Sequence, residues 1–145
     1  MNTVRLFVLF LLAGELAVIS VLAGENRPAL LPLYERVARA LCADDLAGAR
    51  IAARSLAAEA VKVDARGLVT SADAVARADD LGHARACFKA LSTEAIVLAR
   101  HTKGFFILTC PMAQADWVQS TRAVANPYLG KDMLTCGEVK EETKG

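Results

Sequence analysis

The feature that most constrains this chain is a three-four alternation of apolar residues that runs through most of its length. Leu30, Tyr34, Val37 and Leu41 recur at such spacings, which stacks them on one face of a helix from Pro28 to about Ala43. Pro28 suits a first helical turn, where its missing N–H goes unused anyway. Asp44 and Asp45 can cap a second helix, in which Leu46, Ala49, Ala53, Leu56, Ala60 and Val63 keep the rhythm. Asp64-Ala65-Arg66-Gly67 breaks it and reads as a loop. A third helical region starts near Thr70, whose spacing to Asp73 is that of a capping box. Leu81, Ala84, Phe88, Leu91, Ala95 and Leu98 carry the alternation to Arg100. Gly82 and the Asp79-Asp80 pair split this region into Ser71–Asp79 and Asp80–Arg100. Small and large residues share these seams, so the expected fold is mainly α. It is an antiparallel bundle of three or four helices with short connections.

The N-terminus reads as a targeting segment. A short positive region, Met1–Arg5, precedes two apolar stretches, Leu6–Gly14 and Leu16–Ala23, interrupted only by Glu15. Val21-Leu22-Ala23 suits signal-peptidase cleavage before Gly24. The alternative is an uncleaved inner-membrane anchor through residues 6–23. A carboxylate in mid-span costs roughly 2.5–3.5 kcal/mol on insertion scales, which disfavours the anchor more. The expected organisation is a signal peptide over 1–23, a single helical domain over 24–140 and a charged tail over 141–145, with the charged stretch Glu138–Gly145 expected to fray. No internal repeat or low-complexity segment stands out.

After His101 the texture changes. Gly104–Thr109 is a short β-prone run ending at Cys110, and Met133–Val139 reads as a second strand carrying Cys136. Pairing them predicts a two-stranded β-ribbon, across a long loop that holds Trp117 and the turn Asn126-Pro127-Tyr128-Leu129-Gly130. That pairing would bring two sulfur clusters together: Cys110 with Met112, and Met133 with Cys136. Thiolate and thioether donors suit soft monovalent ions such as Cu(I) and suit hard cations poorly. Zinc is the runner-up, since it favours Cys and His over thioether.

The string Cys110-Pro111-Met112-Ala113, then Trp117, then Asn126-Pro127-Tyr128-Leu129-Gly130, then Met133-Leu134-Thr135-Cys136-Gly137 resembles the signature of an uncharacterised bacterial domain. That domain is found in secreted or periplasmic proteins and fused to the C-terminus of Cus-type heavy-metal efflux adaptor (membrane-fusion) subunits. Asp44-Asp45-Leu46 and Arg85-Ala86-Cys87-Phe88-Lys89-Ala90-Leu91-Ser92 resemble its other recurring stretches, so the likeness covers about Tyr34 to Glu138. It implies a periplasmic setting and a role beside metal efflux. Members often carry a His directly before the Cys of the C-P-M motif. Here that position is Thr109, so an imidazole would have to come from His101.

Each candidate has a bland reading beside the sharp one. Cys110 and Cys136 could be a structural disulfide, a metallated pair, or a pair that switches between these states. Four cysteines in an oxidising compartment allow three pairings. Met112 and Met133 could be gap-filling core residues. Trp117 and Tyr128 read as packing residues, and Asn126, Pro127 and Gly130 as devices that shape the loop backbone. Cys42 and Cys87 read as buried free thiols or as a link between helices. His83 and His101 read as surface or helix-end residues, with His101, Arg100 and Lys103 suiting a helix C-terminus.

Net charge is +1 with acids and bases interspersed, and no basic stripe argues for nucleic acid. No Ser/His/Asp set, paired-carboxylate site, phosphate loop or C-x-x-C motif argues for an enzyme. Two functions follow. One is a periplasmic Cu(I)- or Ag(I)-binding protein in sequestration, transfer or efflux, with Cys110, Met112, Met133 and Cys136 as ligands. Its partner would be a heavy-metal efflux adaptor or a metallochaperone. The other is a non-catalytic interaction module of an efflux or envelope complex, with Cys110 and Cys136 closing a disulfide.

Overall fold

The computed structural model describes residues 27–145. The segment read as a signal peptide or anchor, residues 1–23, lies outside the described residues. Among the described residues no helix is long and apolar enough to cross a membrane. A 3-10 turn, Arg27–Leu30, leads into four helices: α1 Leu31–Cys42, α2 Leu46–Lys62, α3 Arg66–Ala76 and α4 Leu81–Arg100. Each packs on the next, and α4 also packs on the sheet that follows.

The seams read from sequence form the core. Tyr34, Val37, Leu41, Ala49, Ala53, Leu56, Ala60, Phe88, Leu91 and Ala95 are all fully buried. Ala at so many seam positions lets the helices approach closely. Asp45 starts α2 by accepting the Gly48 N–H at 2.8 Å, and Asp80 starts α4 by accepting the His83 N–H at 2.7 Å. Helix α3 departs from expectation: it begins at Arg66, not near Thr70, and Thr70 is an exposed residue within it. Its N-cap is Ala65, which offers no side-chain cap, so the sequence carries no start signal there.

The C-terminal third forms a three-stranded antiparallel sheet in the order β2-β1-β3, with β1 Phe106–Cys110, β2 Ala115–Gln119 and β3 Glu138–Glu142. This corrects the two-stranded ribbon. The strand expected over Met133–Val139 is displaced, because Gly130–Met133 forms a 3-10 turn and Gly137 adopts φ +130°. Pairing with β1 begins only at Glu138. The tail is not frayed as expected: Glu141 and Glu142 pair in β3, and Thr143 is buried. The Thr143 N–H donates to the Phe105 carbonyl at 2.9 Å, and its hydroxyl donates to the Thr102 carbonyl at 2.6 Å.

β2 is an edge strand, and side chains from α1 and from the long loop bond outer backbone groups of it. The Tyr128 hydroxyl lies 2.8 Å from the Asp116 carbonyl and 2.9 Å from the Ser92 oxygen. A carbonyl only accepts and a phenol has one proton, so Tyr128 donates to Asp116 and Ser92 donates to Tyr128. Tyr34, 2.7 Å from Ser92, then donates to Ser92 and accepts the Val118 N–H at 3.3 Å. Burial pushes both phenols well above their ordinary value, so these protons stay in place. Tyr34→Phe would leave the buried Val118 N–H without its acceptor. It is expected to lower stability to urea by about 1–3 kcal/mol.

Candidate metal centre

A tight hairpin joins β1 to β2. Cys110 pairs with Ala115, and the turn between them closes through the Gln114 N–H to the Pro111 carbonyl at 3.2 Å. This places Met112 at the tip, 65% exposed. Cys136 comes from the far end of the long loop, just ahead of β3. Its sulfur stands 3.3 Å from that of Cys110 and 3.9 Å from that of Met112. Three of the four expected donors therefore meet. Met133 does not join them through a sulfur hydrogen bond among the described residues. It closes a turn through its carbonyl, which accepts the Cys136 N–H at 3.0 Å, and its side chain is 40% exposed.

The loop that delivers Cys136 is anchored from both sides. Gly137 lies against the sheet: a Cβ there would stand 2.7 Å from the Thr109 carbonyl oxygen and 2.8 Å from the Trp117 ring. Trp117 is fully buried and meets Tyr128 edge-on, with ring centroids 6.1 Å apart. Tyr128 in turn packs on Phe88, and Phe88 on Tyr34. The aromatic residues thus tie the site's wall to the bundle core. On the other side, Arg85 of α4 donates to the Pro127 carbonyl at 3.1 Å and to the Leu41 carbonyl at 3.0 Å, and it pairs with Asp44. Asp44 also accepts the Lys131 N–H at 3.3 Å. The Arg85 guanidinium holds the Asp44 carboxyl below the usual carboxylate range. Gly130, at φ +61°, fits against this pair, and a Cβ would collide with both side chains. Gly130→Ala is expected to unseat the loop and lower the melting temperature measured by circular dichroism.

The two thiols share their environment unequally. Burial opposes ionisation of Cys110. The N–H of Ala113, the Cys136 thiol, the Asn126 side chain and the N–H of Met112 outweigh it and hold Cys110 below its ordinary value. Cys136 is pushed up, first by its hydrogen bond with Cys110. Of the two, Cys110 is the thiol that ionises more readily, with Cys136 placed to donate to it.

The other candidates stay apart. Cys42 and Cys87 are free, half-buried thiols, and burial pushes Cys42 up to about 11, which makes it a poor nucleophile. His101 caps the end of α4, and both His83 and His101 are exposed. Among the described residues no group of three or more His, Cys, Asp or Glu side chains gathers. The third sulfur beside the two thiols is the Met112 thioether. Asn126 does more than shape a turn: its buried amide is a structural tie to Cys136. Burial carries that distinction, and sequence does not show it.

Fold and site together define a helical domain that presents a three-sulfur cluster from a small antiparallel sheet. Comparison with known protein families, curated proteins and solved structures gives no match.

Proposed function

We propose that this protein binds a soft monovalent metal ion, Cu(I) or Ag(I), at Cys110, Cys136 and Met112. It would act in metal sequestration, transfer or efflux, in the periplasm or outside the cell after loss of residues 1–23. The observation that carries this reading is the meeting of two thiols and a thioether at 3.3 and 3.9 Å. Hard cations have no use for such donors. An ion about 2.3 Å from each sulfur, at tetrahedral angles, sets neighbouring sulfurs roughly 3.8 Å apart. The Cys136–Met112 separation already matches that spacing, and the thiol pair needs only a small opening. The resemblance of the C-P-M to C-G string to a domain of metal-efflux adaptors points the same way, and an efflux adaptor or a metallochaperone is the matching partner.

Anaerobic titration of the reduced protein with Cu(I) against a competing chelator tests this. One equivalent is expected to bind. Met112→Leu is expected to weaken binding at least about tenfold, equivalent to roughly 1.4 kcal/mol. Met133→Leu should have a smaller effect, because Met133 stands outside the three-sulfur set. Unchanged affinity in the double variant would remove thioethers from the site.

The contact between the thiols also favours a second reading, a metal-free interaction module whose Cys110 and Cys136 close a disulfide. Protein isolated without reductant and alkylated at once distinguishes them by mass. Metal-free protein with both residues unalkylated supports the module.

A further inference from the structure

Asn126 is fully buried, and its amide ties its own turn to the segment that carries Cys136. The Oδ1 atom accepts the N–H groups of Tyr128 at 2.8 Å and Leu129 at 3.2 Å. The Nδ2 atom donates to the Cys136 carbonyl at 2.7 Å. The other cysteine, Cys110, is held by its own strand, where it pairs with Ala115. Oxygen and nitrogen cannot be exchanged here, since two donors face one atom and a carbonyl faces the other. The main chain adds a further tie, from the Asn126 N–H to the Leu134 carbonyl at 2.7 Å.

We infer that Asn126 is a positioning residue that sets the separation of the Cys110 and Cys136 sulfurs and so makes the site three-coordinate. The inference rests on the soft-metal reading above. A linear two-coordinate ion with bonds of about 2.3 Å needs its two thiolates roughly 4.6 Å apart. The pair stands at 3.3 Å. Widening it to the linear distance would drag the Cys136 backbone off the amide. Gly137, lodged against Trp117 and the Thr109 carbonyl, resists the same movement, and β-pairing holds Cys110. Three-coordination needs far less opening and recruits Met112, which already lies 3.9 Å from Cys136.

The test compares the unaltered site with Asn126→Asp, all in a Cys42→Ala, Cys87→Ala background. Aspartate keeps an acceptor for Tyr128 and Leu129 but turns an oxygen toward the Cys136 carbonyl. The first readout needs no metal: dibromobimane fluoresces once it bridges two thiols. An ångström of misplacement can cost about 100-fold in an intramolecular reaction, so Asn126→Asp is expected to slow bridging at least tenfold. The second readout is X-ray absorption of the Cu(I)-loaded protein, with three sulfurs expected for the unaltered site and two for the variant. Ser92→Ala, which weakens the Tyr34–Tyr128 hydroxyl chain without touching the amide, should leave both readouts unchanged.

Bridging at the unaltered rate in Asn126→Asp overturns the inference, and so does equal slowing in Ser92→Ala. Three sulfurs in the variant also overturn it. If the unaltered site takes up no Cu(I) while Asn126→Asp still slows bridging, the metal reading fails and the thiol spacing stands. Should Asn126→Asp lose its helical circular dichroism, Asn126→Ser replaces it, since its short hydroxyl reaches neither cysteine.

Discussion

Replacing Cys110 with serine is expected to lower Cu(I) affinity by about 100- to 1,000-fold. Apparent binding energies of structural metal sites near 10–16 kcal/mol, shared among four donors, assign roughly 2.5–4 kcal/mol to each. Cys110 is also the thiol of the pair that ionises more readily, so serine removes the donor that gives up its proton more easily. Competition titration at one pH measures the loss, and a loss below tenfold would take Cys110 out of the site. The unaltered protein adds a pH signature. Cys110 is held below its ordinary value and Cys136 above its own, so between these two values the resting pair keeps one proton, on Cys136. An ion must displace that proton, and apparent affinity should rise about tenfold per pH unit across this window. Below the Cys110 value two protons are displaced and the slope doubles. Affinity that is flat with pH would show that neither thiolate binds the ion.

Trp117→Ala is expected to destabilise the protein by about 3–5 kcal/mol in urea denaturation. Trp117 heads the fully buried side chains by size. Its indole N–H donates to the Gln119 side chain at 3.0 Å, its edge meets Tyr128, and Gly137 packs on its ring. Alanine leaves a cavity bounded by β-strand backbone, which cannot collapse to fill it. The variant should also slow dibromobimane bridging, because the wall behind Gly137 is gone. Trp117→Phe keeps most of that wall and should cost less than half as much.

The helical half was legible because apolar seams recur in three of its four helices between Leu30 and Leu98. Asp45 and Asp80 announced their helices through capping chemistry, whereas α3, capped by Ala65, announced nothing. The convergence of Cys110 and Cys136 was legible too, from the pairing expected of two β-prone runs. The register was not. β2 spans five residues with Asp116 among them, too short and too polar for a strand pattern, so Trp117 was placed in a loop. Met133 was grouped with Cys136 by proximity in sequence, but the 3-10 turn at Gly130–Met133 breaks the strand alternation that grouping assumed. The Asp44–Arg85 pair joins residues 41 positions apart, and no local pattern announces such a pairing. It gives two stretches that figure in the resemblance a physical role beyond capping and seam packing: both hold the loop that carries Asn126 and Gly130.

That anchoring has a thermodynamic corollary. The socket for the 126–131 loop is assembled from the α1–α2 turn and from α4, so it exists only once the bundle has packed. An unfolded chain has no means of holding residues 110 and 136 side by side, and a captured ion would bind the native ensemble alone. Heat tolerance then becomes a function of free cation concentration. A hundredfold excess over the dissociation constant adds about 2.7 kcal/mol, and a chelator withdraws it.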